Sequence, residues 1–214
     1  MAPVEQVRFP GLRKSRWFTE LSPRVQSAID AHVRLIRVRQ DTAVYRQGDE
    51  PDGLYMALEG VIQLTSYAAR GTGHLQLLAK CGDWFGEASA IDAEPRQQDA
   101  ISRDEGLVLH FAQADIERIG ADHPDLWRAI GRLSTYTQRM AFDYFETIVG
   151  LDAMGRIVTM LKALDAHTPG GTLRLSHEQI ANSTGVSRQT ATKILGRLER
   201  DGVIALGYRS IRIL

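Results

Sequence analysis

Residues 175–200, LSHEQIANSTGVSRQTATKILGRLER, gather side chains that hydrogen-bond phosphates and base edges. Ser187, Arg188, Gln189, Thr190, Thr192, Lys193 and Arg197 lie close together in that stretch. Arginine can fork onto guanine O6 and N7 and glutamine onto adenine N6 and N7. Hydroxyls and cations hold phosphates without reading sequence. Such chemistry needs a rigid carrier, and the flanking residues predict one. Ser176 and Gln179 form an S-x-x-Q capping box at a helix start. That helix ends near Ser183, Gly185 supplies a turn, and Ser187 caps a second helix running to about Arg200. Ile180, Ala181, Val186, Ala191, Ile194, Leu195 and Leu198 give both helices an apolar side. Arg188, Gln189, Thr192, Lys193, Arg197 and Arg200 remain for solvent. The pattern predicts a helix-turn-helix whose second helix enters the DNA major groove. A bland αα-hairpin with a solvated charged face is the alternative; capping, turn and core spacing together favour the first. Downstream, Asp201-Gly202 and Gly207-Tyr208 are turns, and Val203–Leu206 and Ser210–Leu214 are strand-like. They predict a β-hairpin wing that carries Arg209 and Arg212.

The chain has 214 residues and no net charge, with ordinary apolar content. The charge is uneven: residues 152–214 carry 9 Lys and Arg against 5 Asp and Glu, and the remainder carries 17 against 21. The basic end is the helix-turn-helix end, where a polyanion needs it. One cysteine, Cys81, forbids an intrachain disulfide and a cysteine-ligated iron–sulfur cluster. The first residues lack the apolar core of a signal peptide, and no apolar run approaches a membrane span. A cytoplasmic protein with no membrane partner is the expectation.

Upstream, residues 17–32 look helical, with Ser22-Pro23 as a start signal. Short alternating runs follow at Ala43–Tyr45, Leu54–Leu58, Val61–Thr65, Leu75–Leu78 and Leu107–Phe111, parted by glycine- and aspartate-rich turns. They predict an antiparallel barrel or roll. Residues 113–120 form a short helix, and Pro124 opens a long one. There Leu126, Ile130, Leu133, Thr137, Met140, Tyr144, Thr147 and Leu151 step by alternate fours and threes. This heptad seam predicts a helix of roughly 28 residues, about 40 Å long, pairing with a second copy. Phe142 and Phe145 lie on its other side, placed to cover the roll. The expected fold is α+β: a β-roll over residues 1–121, a dimerisation helix over 122–151 and a winged helix-turn-helix over 152–214.

In this order the segments resemble the Crp/Fnr (cyclic-AMP receptor protein / fumarate–nitrate regulator) superfamily of bacterial transcription regulators. Three stretches carry the resemblance: Tyr45–Gly60, Gly82–Glu87 (GDWFGE), and Leu151–Ile157 with the helix-turn-helix after it. The resemblance implies a cyclic-nucleotide-binding-like roll, a hinge at Leu151–Ala153 and a homodimer on a two-fold symmetric operator. RNA polymerase enters as a further partner. The family's recognition helix begins Ser-Arg-Glu-Thr, and this chain reads Ser187-Arg188-Gln189-Thr190. Arg188 matches the guanine-reading arginine, Gln189 replaces a glutamate, and Lys193 replaces a later arginine. His177 takes the place of a basic phosphate contact.

Gly86 and Glu87 match the first pair of the family's phosphate-binding cassette. The arginine and serine that should follow fall on Gln97, Gln98 or Asp99, with Arg96 one or two positions early. Asp99 there opposes a phosphate. The receptor's adenine-contacting threonine and serine fall on Ala141 and Phe142. Cyclic AMP is therefore not the expected effector, and Glu87 has a structural alternative as an acceptor in a tight loop. A small molecule or a redox or gas signal remains open. Haem would draw on His74, Cys81 or His110, no two of which have diagnostic spacing. A metal-binding cupin needs a His-x-His that is missing, and no nucleophile–base set is visible, so an enzyme is not expected. The remaining alternative is a ligand-binding or interaction module of the same fold without specific DNA binding.

Overall fold

A computed structural model of the chain describes residues 8–67, 73–165, 171–173 and 175–214. The helix expected over residues 17–32 is two helices, each with its own start. Ser15 Oγ accepts from the Phe18 N–H and caps α1 (Arg16–Thr19). Pro23 opens α2 (Pro23–His32), where its missing N–H costs nothing.

Eight strands follow in two antiparallel sheets: β1 (Arg34–Val38), β2 (Ala43–Tyr45), β3 (Gly53–Glu59), β4 (Ile62–Tyr67), β5 (Gly73–Ala79), β6 (Trp84–Phe85), β7 (Asp99–Ser102) and β8 (Gly106–Ala112). Their orders are β1-β8-β3-β6 and β2-β7-β4-β5. β3 and β8 pair from Gly53↔Ala112 to Met56↔Leu109, with a bulge between Ala57 and Glu59. This register puts Leu54 and Met56 beside Phe111 and Leu109 on one face. The helices cover that face: Phe18, Val25, Ile29, Ile116, Ile119, Leu126 and Ile130 complete one buried cluster. Each such side chain contributes about 1.5–3 kcal/mol by leaving water. Tyr55 and Phe85 meet Tyr45 of the other sheet, with ring centroids 5.7 and 6.0 Å away.

β1, β6 and β7 are absent from the alternation pattern, the first two for physical reasons. β1 is an edge strand exposed at four of its five positions, and β6 has two residues. A further helix, α3 (Glu87–Asp92), follows β6 directly.

α4 (Gln113–Asp122) leads to α5 (Asp125–Val149). The heptad seam of α5 is not one uniform strip. Leu126 and Ile130 are completely buried against the chain's own roll, so they are unavailable to a second copy. Leu133 packs against the same core, and Thr137 is half-buried. Tyr136, Met140 and Phe142 are exposed, at 62%, 42% and 58%. Phe142 therefore does not cover the roll. The side chains of Tyr144, Phe145 and Thr147 lie outside the described residues.

The C-terminal elements are α6 (Ala153–Asp165), β9 (Thr172–Leu173), α7 (His177–Thr184), α8 (Arg188–Arg200), β10 (Ile204–Gly207) and β11 (Ser210–Ile213). Strands β10, β11 and β9 form an antiparallel sheet in that order. Ile157, Leu161, Ile180, Ala191, Leu195, Leu198, Ile204 and Ile211 form a separate core. By contact density the chain is two compact units. One runs to Leu64 and resumes over Ala79–Arg139; the other joins Thr65–Leu78 with Met140–Leu214. Among the described residues no helix is long and apolar enough to cross a membrane.

Candidate nucleic-acid interface and effector cassette

The helix-turn-helix is built as its residues dictate. Ser176 Oγ accepts from the Gln179 N–H at 3.1 Å, and Gln179 Oε1 accepts from the Ser176 N–H at 2.8 Å, closing the capping box of α7. Gly185 ends the helix at φ +64°, where a Cβ is strained, and Ser187 Oγ accepts from the Thr190 N–H to start α8. Ala191, Leu195 and Leu198 point inward. Ser187, Arg188, Gln189, Thr192, Lys193 and Arg197 are exposed and Thr190 is half-buried. The (i, i+4) pairs Arg188/Thr192 and Gln189/Lys193 share one face.

Their bonding differs. Among the described residues, Arg188, Gln189 and Lys193 have no hydrogen-bond or ion-pair partner, so their donors are free for a ligand. Arg197 Nε lies 3.6 Å from Asp201 Oδ2, a solvent-exposed pair. The Thr192 hydroxyl lies 3.0 Å from His177 Nδ1, and Ser187 and Thr190 share a 2.8 Å hydroxyl contact. Arg209 is exposed at the tip of the wing. A cavity of about 300 Å³ is lined by His177, Arg188 and Arg209 together with Ser176 and Glu178.

In the roll, Gly86 takes φ +86°, and a Cβ there would lie 2.6 Å from Arg96 Nη1. Arg96 is 2% exposed. It donates through Nη1 to the Gly86 carbonyl at 2.8 Å and through Nη2 to the Gly53 carbonyl at 2.7 Å. Nη2 also reaches Asp52 Oδ1 at 2.5 Å, and the guanidinium lies 4.4 Å from the Tyr45 ring centre. Its place one or two positions early in the sequence does not keep Arg96 out of the cassette. It packs beside Gly86 and Glu87, whereas Gln97 is exposed and Gln98 half-buried. Asp99 does not oppose an anion there, because it accepts from the Gln47 N–H at 2.7 Å and from Arg46. Among the described residues, Arg96 Nε and the Tyr45 hydroxyl are buried without a hydrogen-bond partner.

Burial pushes the Glu87 carboxyl above the usual range and outweighs the Thr137 hydroxyl, nearby backbone N–H groups and the Arg96 charge, which favour the anion. Thr137 thus faces the cassette from α5, a role that the heptad pattern hides. Burial and the hydrogen bond to Asp52 likewise raise the Tyr55 phenol. His110 stacks on Tyr55 at 4.5 Å, and its Nε2 lies 3.0 Å from the Asp52 carbonyl, so that nitrogen is committed. The His74 side chain lies outside the described residues.

Comparison with known proteins agrees with both halves. A family profile for the cyclic nucleotide-binding domain matches residues 35–123, and one for the Crp-like helix-turn-helix domain matches residues 155–214. The chain belongs to the Crp/Fnr superfamily. The CRP-like cAMP-activated global transcriptional regulator of Mycobacterium tuberculosis is 25% identical over 209 residues, covering 94% of this chain and 93% of that one. The transcriptional regulator LdrP of Thermus thermophilus is 26% identical, over 83% and 91%. A Crp/Fnr-family regulator structure from Eubacterium rectale superposes with TM-score 0.78 at 17% identity, over 94% of each chain. The c-di-GMP responsive regulator CLP of Xanthomonas campestris gives 0.74 at 21% identity, over 90% and 99%. This Crp/Fnr member is thus a roll-plus-helix-turn-helix protein from a family of transcription regulators.

Proposed function

We propose that the chain is a homodimeric, sequence-specific DNA-binding regulator that reads a two-fold symmetric operator through α8. The observation that carries this is the unpartnered trio Arg188, Gln189 and Lys193 on the exposed face of a doubly capped helix-turn-helix. Dimer formation is supported by Tyr136, Met140 and Phe142, large apolar side chains left open on one short segment of α5. Of these, Met140 lies on the heptad seam, and a second copy is the occupant that this position favours. In such a dimer the two α8 helices would stand about 34 Å apart, one turn of B-DNA.

The cassette is the effector site in this reading. Arg96 Nε and the Tyr45 hydroxyl favour a small molecule bearing an anionic or acceptor group, and cyclic AMP is not preferred among such molecules. Gln97, Gln98 and Asp99 stand where the family's arginine and serine belong and none is a serine, and the family's adenine-contacting positions fall on exposed Ala141 and Phe142. RNA polymerase is the partner through which a bound regulator would act.

Selection from random-sequence duplexes, followed by anisotropy titration, tests the reading. A palindromic site bound with 10⁻⁸ M-class affinity or better, at a stoichiometry of two chains per duplex, is the expected result. Arg188→Ala should lose about 1–3 kcal/mol and relax the base choice at one position of each half-site. Recovery of no enriched sequence at low salt would favour an interaction module without specific DNA binding.

A further inference from the structure

The wing has features that packing does not explain. β10 and β11 pair in register from Ile204↔Ile213 to Gly207↔Ser210, so the turn consists of Tyr208 and Arg209 alone. Two-residue hairpin turns favour Asn-Gly and related pairs, because a left-handed residue suits glycine or asparagine. Here the left-handed position, at φ +48°, holds an arginine. Backbone strain retained at a surface turn calls for a use of that side chain. Beside it, Tyr208 is 94% exposed, the highest value among the exposed large apolar side chains. An aromatic ring and a guanidinium thus stand at the tip of a narrow two-stranded ribbon, where no fold contact requires either.

The cavity between the wing and the helix-turn-helix says where that tip would go. Ser176, His177 and Arg188 line one wall, and Gly207, Arg209 and Ser210 line the other. Glu178 is the acidic member of the lining, and the guanidiniums of Arg188 and Arg209 are its two fixed positive charges. A phosphodiester strand is the anionic occupant that suits this cleft. In B-DNA such a strand separates a major groove from a minor groove. With α8 on the major-groove side, the wing tip lies on the other side, at a groove roughly 6 Å wide that admits a two-residue turn and not a helix.

We infer that Tyr208 and Arg209 enter the minor groove next to each half-site and read its width, adding sequence preference where α8 makes no contact. This rests on the operator-binding reading above. Narrow minor grooves over A-tracts carry a stronger negative potential and attract arginine, and an aromatic wedge exploits the ease with which certain base steps open.

The test uses the full chain and duplexes that share one selected operator core but carry A-tract or G·C flanks, titrated by anisotropy at fixed salt. The wild type should prefer the A-tract flank by about tenfold. Arg209→Gly should abolish that preference while raising the melting temperature, since glycine suits the turn. Tyr208→Ser should weaken it with no loss of helicity. If Arg209→Gly and Tyr208→Ser keep the flank preference while Arg188→Ala still weakens core binding, the wing inference is wrong and the operator reading stands. An equal loss on both flanks with a salt slope lowered by about one would make the wing a phosphate contact only and also overturn it. Failure of the wild type to bind any duplex would remove both readings.

Discussion

Arg96 offers the sharpest test of how the cassette is held together. Its guanidinium is almost fully buried and donates to the Gly86 and Gly53 carbonyls at 2.8 and 2.7 Å. In Arg96→Leu both carbonyls lose their donor. Each orphaned acceptor costs about 1–3 kcal/mol, so the two together cost roughly 2–6 kcal/mol. The ion pair to Asp52 adds little, because the Asp52 side chain is 52% exposed and can turn to water. Relief from burying a charge works in the opposite direction. The net expectation is a loss of about 3 kcal/mol from the N-terminal unit. Arg96→Lys, whose ammonium can serve one carbonyl, should lose about half as much. Urea unfolding reads this cleanly, because Trp17, Trp84 and Trp127 all lie in that unit. Their emission follows the roll, while ellipticity at 222 nm follows both units. A loss below about 1 kcal/mol in the fluorescence transition would refute the account of Arg96 as the cassette's internal tie.

Two further outcomes follow from particular residues. Burial makes the folded Glu87 hold its proton to higher pH than the unfolded chain does, so between those two pKa values stability falls as pH rises. Glu87→Gln should therefore melt higher than the wild type near pH 7, with the difference shrinking as the pH drops towards the ordinary carboxylate range. Thermal melts followed by tryptophan emission across that range would contradict this if the variant were less stable at neutral pH. Gly196 sits within α8, and a Cβ there would meet nothing nearer than Arg200 Nη1 at 3.7 Å. Gly196→Ala should stabilise the C-terminal unit by about 1 kcal/mol in urea titrations followed by ellipticity, and a destabilised variant would show that the site is tighter than this.

The C-terminal half was legible because its signals are local. Ser176 with Gln179, Gly185 and Ser187 each bond within a few residues of themselves, so short-range sequence suffices. Strands β2, β3, β4, β5 and β8 were legible through alternation. β1 was not, because four of its five side chains face solvent at the sheet edge, and two-residue β6 is too short for any period. The heptad of α5 was read as one seam because a 3.5-residue period does not say which partner a side chain meets. Leu126 and Ile130 meet the roll, and Tyr136, off the seam, is left open. The cassette was obscured by position counting: Arg96 reaches the Gly86 carbonyl across a loop, and the Thr137 hydroxyl approaches Glu87 from another element. Contacts between distant segments leave no mark in spacing.

Burial of Leu126 and Ile130, together with the meeting of Glu87 and Thr137, has a mechanical consequence. The first three turns of the long helix belong to the N-terminal unit as a handle belongs to its tool, so any shift of the cassette loop must travel with them. Substitutions at Leu126, Ile130 or Thr137 should therefore alter how firmly that grip is held.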